Sequence, residues 1–215
     1  MSPPAWPRPR ALLLDAMGTL IQLRRPLGHT YAEAAAAHGI SLDPEAVGRA
    51  FAAHYPSAPP LAFPGLEGEA LRQAEIGWWG ERIEAVLQQC AGVSAPADLP
   101  LQLFEAFADP ALWRVYDDVP ANLERWQAAG LRLAVVSNFD SRLAGLLAGL
   151  GLAERFEAVV VSSQAGAAKP SPLPFQQALT ALGLPPSQAW HVGDSPEDAA
   201  GARAAGLRCL IVRRP

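Results

Sequence analysis

The chain has 215 residues, half of them apolar and 18% charged, enough to bury a sizeable core in one or two domains. Its 17 basic and 21 acidic residues leave a net charge of −4, which excludes the basic footprint of a nucleic-acid or anionic-membrane binder. Cys90 and Cys209 stand far apart in apolar patterns with no metal-ligand spacing, the usage of buried free thiols in a reducing cytoplasm.

Residues 1–10 are proline-rich and lack the apolar run of a signal peptide or membrane span, so they read as a loose tail. Ala11–Leu14 is a short apolar run suited to a strand buried on both faces, as in parallel sheets, and it ends in a carboxylate, Asp15. Gly18 and Thr19 follow within a turn, and Gly18 lets the backbone bend sharply and approach a ligand. From Gln22 to Asp109 the pattern is helical, over His29–His38, Asp43–His54, Gly68–Cys90 and Leu99–Phe107, with a proline-rich loop at Pro56–Pro64. In the longest of these, Leu71, Ile76, Trp79, Ile83, Val86, Leu87 and Cys90 recur at threes and fours. Trp78 and Trp79 read as packing residues.

Beyond Asp117 helices and strands alternate. Helices are expected over Pro120–Ala129, Ser141–Leu150, Leu173–Leu182 and Pro196–Ala205, three of them closed by Gly130, Gly151 or Gly183 and the last by Gly206. Strands are expected over Leu131–Val136, Ala158–Val161, Trp190–Val192 and Cys209–Val212. With Ala11–Leu14 they make a doubly wound parallel sheet, an α/β core over residues 11–21 and 110–215, interrupted by an all-helical cap over residues 22–109.

Four polar sites fall at the ends of these strands or just after one: Asp15, Ser137-Asn138, Lys169, and Gly193-Asp194 with Asp198. Parallel strands point one way, so the four can meet in one crevice. Lys169 is the only lysine in the chain, every other basic residue being arginine. The set suits phosphoryl transfer. Asp15 and Asp194 can hold Mg²⁺ through hard oxygens, and Asp15 can attack phosphorus to form an aspartyl phosphate. Ser137 and its neighbouring N–H groups can take phosphate oxygens, with the Lys169 ammonium opposite the carboxylates. Asp198, three residues after Ser195, suits either a capping box or the surroundings of a metal.

These pieces resemble the haloacid dehalogenase superfamily. The matching motifs are Asp15-Ala16-Met17-Gly18-Thr19, Val135-Val136-Ser137-Asn138, Lys169-Pro170 and Val192-Gly193-Asp194-Ser195-Pro196-Glu197-Asp198. The helical insert resembles the type-one cap. Arg24-Arg25-Pro26-Leu27-Gly28 with Tyr31, and Leu131–Asp140, are similar to the rhythmically-expressed-gene-two-like branch. The resemblance implies a Rossmannoid core and Asp15 as nucleophile. It implies Mg²⁺ on Asp15, Asp194 and the Met17 carbonyl, supported by Asp198. Ser137 and Lys169 would orient the phosphate, with Gly18, Thr19 and Asn138 also on the substrate side. The substrate would be a small phosphorylated metabolite. One position departs from the phosphatase pattern: Met17 stands where those enzymes carry a second Asp that acts as general acid and base. Losing such a group costs about 10²–10⁴ in rate, so turnover is expected to be slow and to favour leaving groups that need no proton, such as acyl or aryl phosphates. His29 and Tyr31 are candidate substitutes from the cap. The alternatives are a non-catalytic relative that binds a phosphorylated ligand, and a dehalogenase, whose chemistry needs no metal and which leaves Asp194 unexplained.

Overall fold

Leu12, Leu13 and Leu14 have no exposed face, and the whole sheet is laid out around the strand that carries them. The computed structural model describes residues 8–214, so most of the expected tail lies outside the described residues; Arg10 already bonds through its N–H to the Gln188 carbonyl at 2.7 Å. In chain order the elements are β1 (Ala11–Leu14), β2 (Ile21–Leu23), α1 (Leu27–Ala36), α2 (Pro44–His54), α3 (Gly68–Ala91), α4 (Leu99–Ala106), β3 (Trp113–Val115), α5 (Val119–Ala128), β4 (Arg132–Ser137), α6 (Arg142–Gly149), β5 (Ala158–Val161), α7 (Ser162–Ala165), α8 (Leu173–Leu182), β6 (Ala189–Gly193), α9 (Pro196–Ala204) and β7 (Arg208–Ile211).

The main sheet is parallel, in the order β5-β4-β1-β6-β7, with Leu14 opposite Val135 on one side and Val192 on the other. Side chains alternate across it. Leu12 and Leu14 pack with Leu123 of α5 and Leu143, Leu146 and Leu147 of α6. Ala11 and Leu13 pack on the opposite face with Phe175, Leu179 and Leu182 of α8 and Ala202 of α9. Each leucine so buried contributes roughly 1.5–3 kcal/mol, which is why a four-residue strand holds its place. This is the α/β Rossmannoid arrangement. The carboxyl ends of β1, β4 and β6 therefore open on one edge, with Asp15, Ser137 and Asp194 at their tips.

Helices α1 to α4 occupy the chain between β2 and β3 and share a separate core of Tyr31, Val47, Ile83, Leu87, Leu99 and Leu103. Two features differ from expectation. Ile21–Leu23 pairs antiparallel with Trp113–Val115, a two-stranded ribbon at the root of the helical segment, where the sequence pattern showed helix from Gln22 and no strand over residues 113–115. On α3 the buried face includes Glu75 and Trp78, while Ile76 and Cys90 are only half-buried. Trp78 is a packing residue as expected, its indole N–H bonded to the Pro59 carbonyl at 3.0 Å. Both cysteines are free, and both are half-buried rather than buried, because each lies at the edge of its apolar cluster. Among the described residues no helix is long and apolar enough to cross a membrane.

Candidate active site

Asp15 follows β1 directly and is almost wholly buried, so its carboxylate needs partners. Ser137, at the tip of β4, donates its hydroxyl to Asp15 Oδ1 at 3.0 Å. Lys169 Nζ donates to the same oxygen at 2.6 Å, to Asp198 Oδ1 at 2.5 Å and to the Val136 carbonyl at 3.1 Å. All three donor directions of the ammonium are thus used. Burial opposes its charge, but Asp15 and Asp198 outweigh that and raise the Lys169 pKa above its ordinary value. The chain's one lysine is therefore a buried cation.

Asn138 serves this arrangement from behind. Its amide donates to the Lys169 carbonyl at 3.0 Å and accepts from the Lys169 N–H at 2.7 Å, pinning the Lys169 backbone to the end of β4. Asp198 is saturated: Oδ1 takes Lys169 and His191, and Oδ2 accepts from the Asp194 N–H, the Ser195 N–H and the Ser195 hydroxyl. Both halves of the capping box with Ser195 are present at the start of α9. Burial opposes the charge of Asp198, yet the bond from His191 and the charge of Lys169 hold its carboxyl well below the usual range.

Asp194, just past the tip of β6, is exposed to solvent. Thr19 donates its hydroxyl to Asp194 Oδ1 at 3.3 Å. Gly18 has φ +82°, and a Cβ there would stand 2.3 Å from Asp194 Oδ2, so only glycine fits. The Gly18 and Thr19 N–H groups are spent inside the turn, on the Ile21 and Ala16 carbonyls. Both residues thus shape the approach to Asp194. Met17 is 47% exposed.

Asp15, Asp194 and Asp198 each bring a carboxylate oxygen within 4.8 Å of the others. Three carboxylates face one ammonium, Lys169, a surplus of two negative charges. Burial first, and then the charges of Asp15 and Asp198, push the Asp194 carboxyl above its ordinary pKa. Hard oxygen donors under mutual repulsion are a fitting seat for a divalent cation, which would relieve that repulsion.

A model of the haloacid dehalogenase-like hydrolase family matches residues 9–206. The chain belongs to that family. The human haloacid dehalogenase-like hydrolase domain-containing protein 3 is 42% identical over 215 residues, covering 96% of this chain and 82% of that protein. A phosphoserine phosphatase of Thermus thermophilus is 37% identical over 155 residues, 70% of this chain and 60% of that enzyme. Among solved structures, CbbY from Rhodobacter sphaeroides in complex with phosphate superposes with a TM-score of 0.66 at 24% identity, covering 96% of this chain and 87% of that one. That likeness speaks for the fold.

Sequence reasoning missed several residues of this haloacid dehalogenase-like site. His191, wholly buried on β6, bonds through Nε2 to Asp198 Oδ1 at 2.8 Å and packs edge-on against Phe175. Its one signal was a polar residue inside an otherwise apolar strand. Trp79 does more than pack: its indole N–H donates to Asp140 Oδ2 at 2.7 Å, and its ring lines a cavity between α1–α4 and the sheet. Arg142 is held there by Asp140 through Nε and Nη2, at 2.8 and 2.6 Å. The cavity encloses about 190 Å³ and reaches Met17 and Phe139. On its solvent side Met17 also borders an open crevice with Arg24, Arg25 and Arg114. Of the two candidate substitutes for the missing acid, Tyr31 lines the cavity, and His29 sits at the start of α1 against the Pro26 carbonyl.

Proposed function

We propose that this chain is a Mg²⁺-dependent hydrolase of small phosphorylated compounds, with a cap over residues 22–109 covering a core of residues 11–21 and 110–215. The observation that carries the reading is the buried triad of Ser137, Lys169 and Asp15, set beside the exposed carboxylate of Asp194. Asp15 and Asp194 would hold the ion, with the Met17 carbonyl alongside; bound there, Mg²⁺ neutralises phosphate charge and lets a dianion approach a surplus of carboxylates. Asp198, its oxygens already engaged, holds Lys169 in place. As phosphate enters, the Ser137 hydroxyl and one Lys169 N–H would turn from Asp15 Oδ1 to the phosphoryl oxygens, while Asp198 and the Val136 carbonyl keep the ammonium in place. A free oxygen of Asp15 attacks phosphorus, the bond from phosphorus to the leaving oxygen breaks, and the leaving group departs with the electron pair. Water then cleaves the aspartyl phosphate, releasing inorganic phosphate and restoring Asp15. The absence of a carboxyl at Met17 slows both halves, since nothing at that position protonates the leaving oxygen or deprotonates the water. The net charge and the two free cysteines fit a cytoplasmic enzyme.

The deciding measurement uses acetyl phosphate, whose leaving acetate needs no proton. Phosphate release should require Mg²⁺, stop with EDTA, and fall by roughly 10³ or more in Asp15→Asn. An Asp15→Asn protein that hydrolyses acetyl phosphate at the wild-type rate overturns the reading. Mg²⁺-dependent binding of phosphate with no turnover would instead favour the non-catalytic relative, the reading that Met17 supports.

A further inference from the structure

Two chain segments that carry reacting groups run directly into the wall of the cavity. Met17 lies two residues past Asp15, Phe139 two residues past Ser137, and both line it. The opposite wall comes from α1 to α4 through Phe51, Trp79, Ile83 and Leu103, with Tyr31 and Tyr55 between. The cavity thus starts from the loops that follow Asp15 and Ser137, neither of which lines it, and extends under the helices.

Its chemistry is nearly free of charge. The one ionic side chain lining it is Arg142, whose Nε and Nη2 bond to the buried Asp140 and whose Nη1 donates to the Phe104 carbonyl at 2.8 Å. The guanidinium lies over the Phe104 ring at 4.0 Å, so its charge is matched and its face covered. A leaving group bearing a carboxylate or an amine would enter this space without a free partner and lose its water. An apolar ring would not. A dry apolar cavity of about 150 Å³ takes up benzene, and this one offers about 190 Å³.

The same wall offers no strong acid. No carboxyl or imidazole lines it, and Met17 gives no proton. The phenols of Tyr31 and Tyr55 are both pushed up by burial, Tyr55 further by the charges of Asp140 and Asp15, which makes them weaker proton donors than a free tyrosine.

We propose that this cavity seats the leaving group and selects one uncharged aromatic ring, so that the preferred substrates are monocyclic aryl phosphates. The proposal rests on the phosphohydrolase reading above and narrows it to a substrate class. The ring stacks among the aromatic side chains while phosphorus lies against Asp15. When the bond from phosphorus to the aryl oxygen breaks, the oxygen keeps the electron pair as a phenolate and takes its proton later from water. The cavity and the missing acid then select the same substrates.

Calorimetry with unreactive phosphonates in Mg²⁺ tests the seat apart from the chemistry. Phenylphosphonate should bind at least tenfold tighter than methylphosphonate. Ile83→Phe, which fills the cavity from α3, should bring that ratio towards one; Leu103→Phe does the same from α4 should the first variant not fold. Equal affinities for the two phosphonates, or a preference untouched by both fillings, overturns the proposal. In parallel, kcat/KM for phenyl phosphate should exceed that for cyclohexyl phosphate, a ring of similar size with a poor leaving group, by about 10² or more. Equal values would overturn the leaving-group half. Acetyl phosphate turnover, which needs no cavity, reports on the phosphoryl site itself, so its loss would sink the underlying reading and its persistence beside a null phosphonate ratio would sink only this one.

Discussion

A thioether two residues beyond Asp15 can neither give a proton nor take one, and the consequence falls unequally on the two half-reactions. In the proposed mechanism, a good leaving group lets the first step proceed unaided, while water must still be activated to release the aspartyl phosphate. Acetyl phosphate should therefore show a burst of about one phosphate equivalent per site before a slow steady state, the mark of an accumulating covalent intermediate. Met17 is 47% exposed, so a carboxylate there keeps its water and the fold should tolerate it. Met17→Asp should remove the burst and raise the steady-state rate by about 10²–10⁴, read by stopped-flow phosphate release. A variant no faster than wild type would mean that another group already does the work. Gly18 supplies the second residue-scale test. An alanine there meets both φ +82° and Asp194 Oδ2 at 2.3 Å. Gly18→Ala should cost about 1–2 kcal/mol in urea denaturation from its backbone alone. Because the methyl also displaces Asp194, Mg²⁺ affinity by calorimetry should fall at least tenfold; unchanged affinity would detach Asp194 from the ion. At this scale the lone Lys169 pointed to the buried cluster with Asp15 and Asp198 in which it sits. The sequence was silent on the burial of the Asp140–Arg142 pair, which depends on Trp79 of α3 and Phe104 of α4 closing over it.

At the scale of elements, the periodicity of α3 located the helix and the buried Leu71, Ile83, Val86 and Leu87, but not the buried Glu75. Glu75 is buried because Ser141, at the start of α6, gives it both a backbone N–H at 2.9 Å and a hydroxyl at 2.5 Å. Trp79 reaches Asp140 one residue earlier. A charge at a core position reads as a solvent face until its partner, 66 residues away, is in view. The ribbon of β2 and β3 was hidden for the same reason: its strands are three residues long, too short for an alternation signal, and pair across the whole helical segment. The C-terminal half of α3 makes a measurable prediction. Glu84 accepts from the Ala95 N–H at 2.6 Å and the Gln88 amide at 3.1 Å, and these bonds, the Ala95 one foremost, lower its pKa below the ordinary value. A carboxyl lowered on folding lends stability that is complete above its unfolded pKa of about 4.3 and is lost as pH falls through the folded one. Glu84→Gln should thus melt slightly below wild type at pH 7, and the gap should close below about pH 4. A gap that is constant with pH would show that the charge contributes nothing.

For the molecule as a whole, the strand order explains both what was legible and what the site requires. Parallel strands are largely apolar, so β1, β4, β5 and β6 were recoverable within two residues of their ends, and with them the common edge where Asp15, Ser137 and Asp194 meet. That convergence sets three carboxylates beside one ammonium, and a bound cation, as proposed, would relieve the resulting repulsion. Stability should therefore depend on Mg²⁺ by mass action, gaining about 2.7 kcal/mol at a hundredfold excess over Kd. For a chain of this size that gain corresponds to a rise in Tm of roughly 5–10 °C. Asp194→Asn separates repulsion from binding. The Asp194 carboxyl is raised by burial and by Asp15 and Asp198, so its ionised form weakens the metal-free protein once pH exceeds that raised value. Without Mg²⁺ at pH 7 the variant should melt above wild type; in saturating Mg²⁺ the order should reverse, because the variant has lost a charged ligand and gains little. Melting curves of the two proteins, with Mg²⁺ and with EDTA, give four temperatures and one crossing. Parallel rises in both proteins would place the ion elsewhere, and a variant less stable than wild type in EDTA would mean that Thr19 and the turn at Gly18 hold Asp194 more firmly than its neighbours repel it.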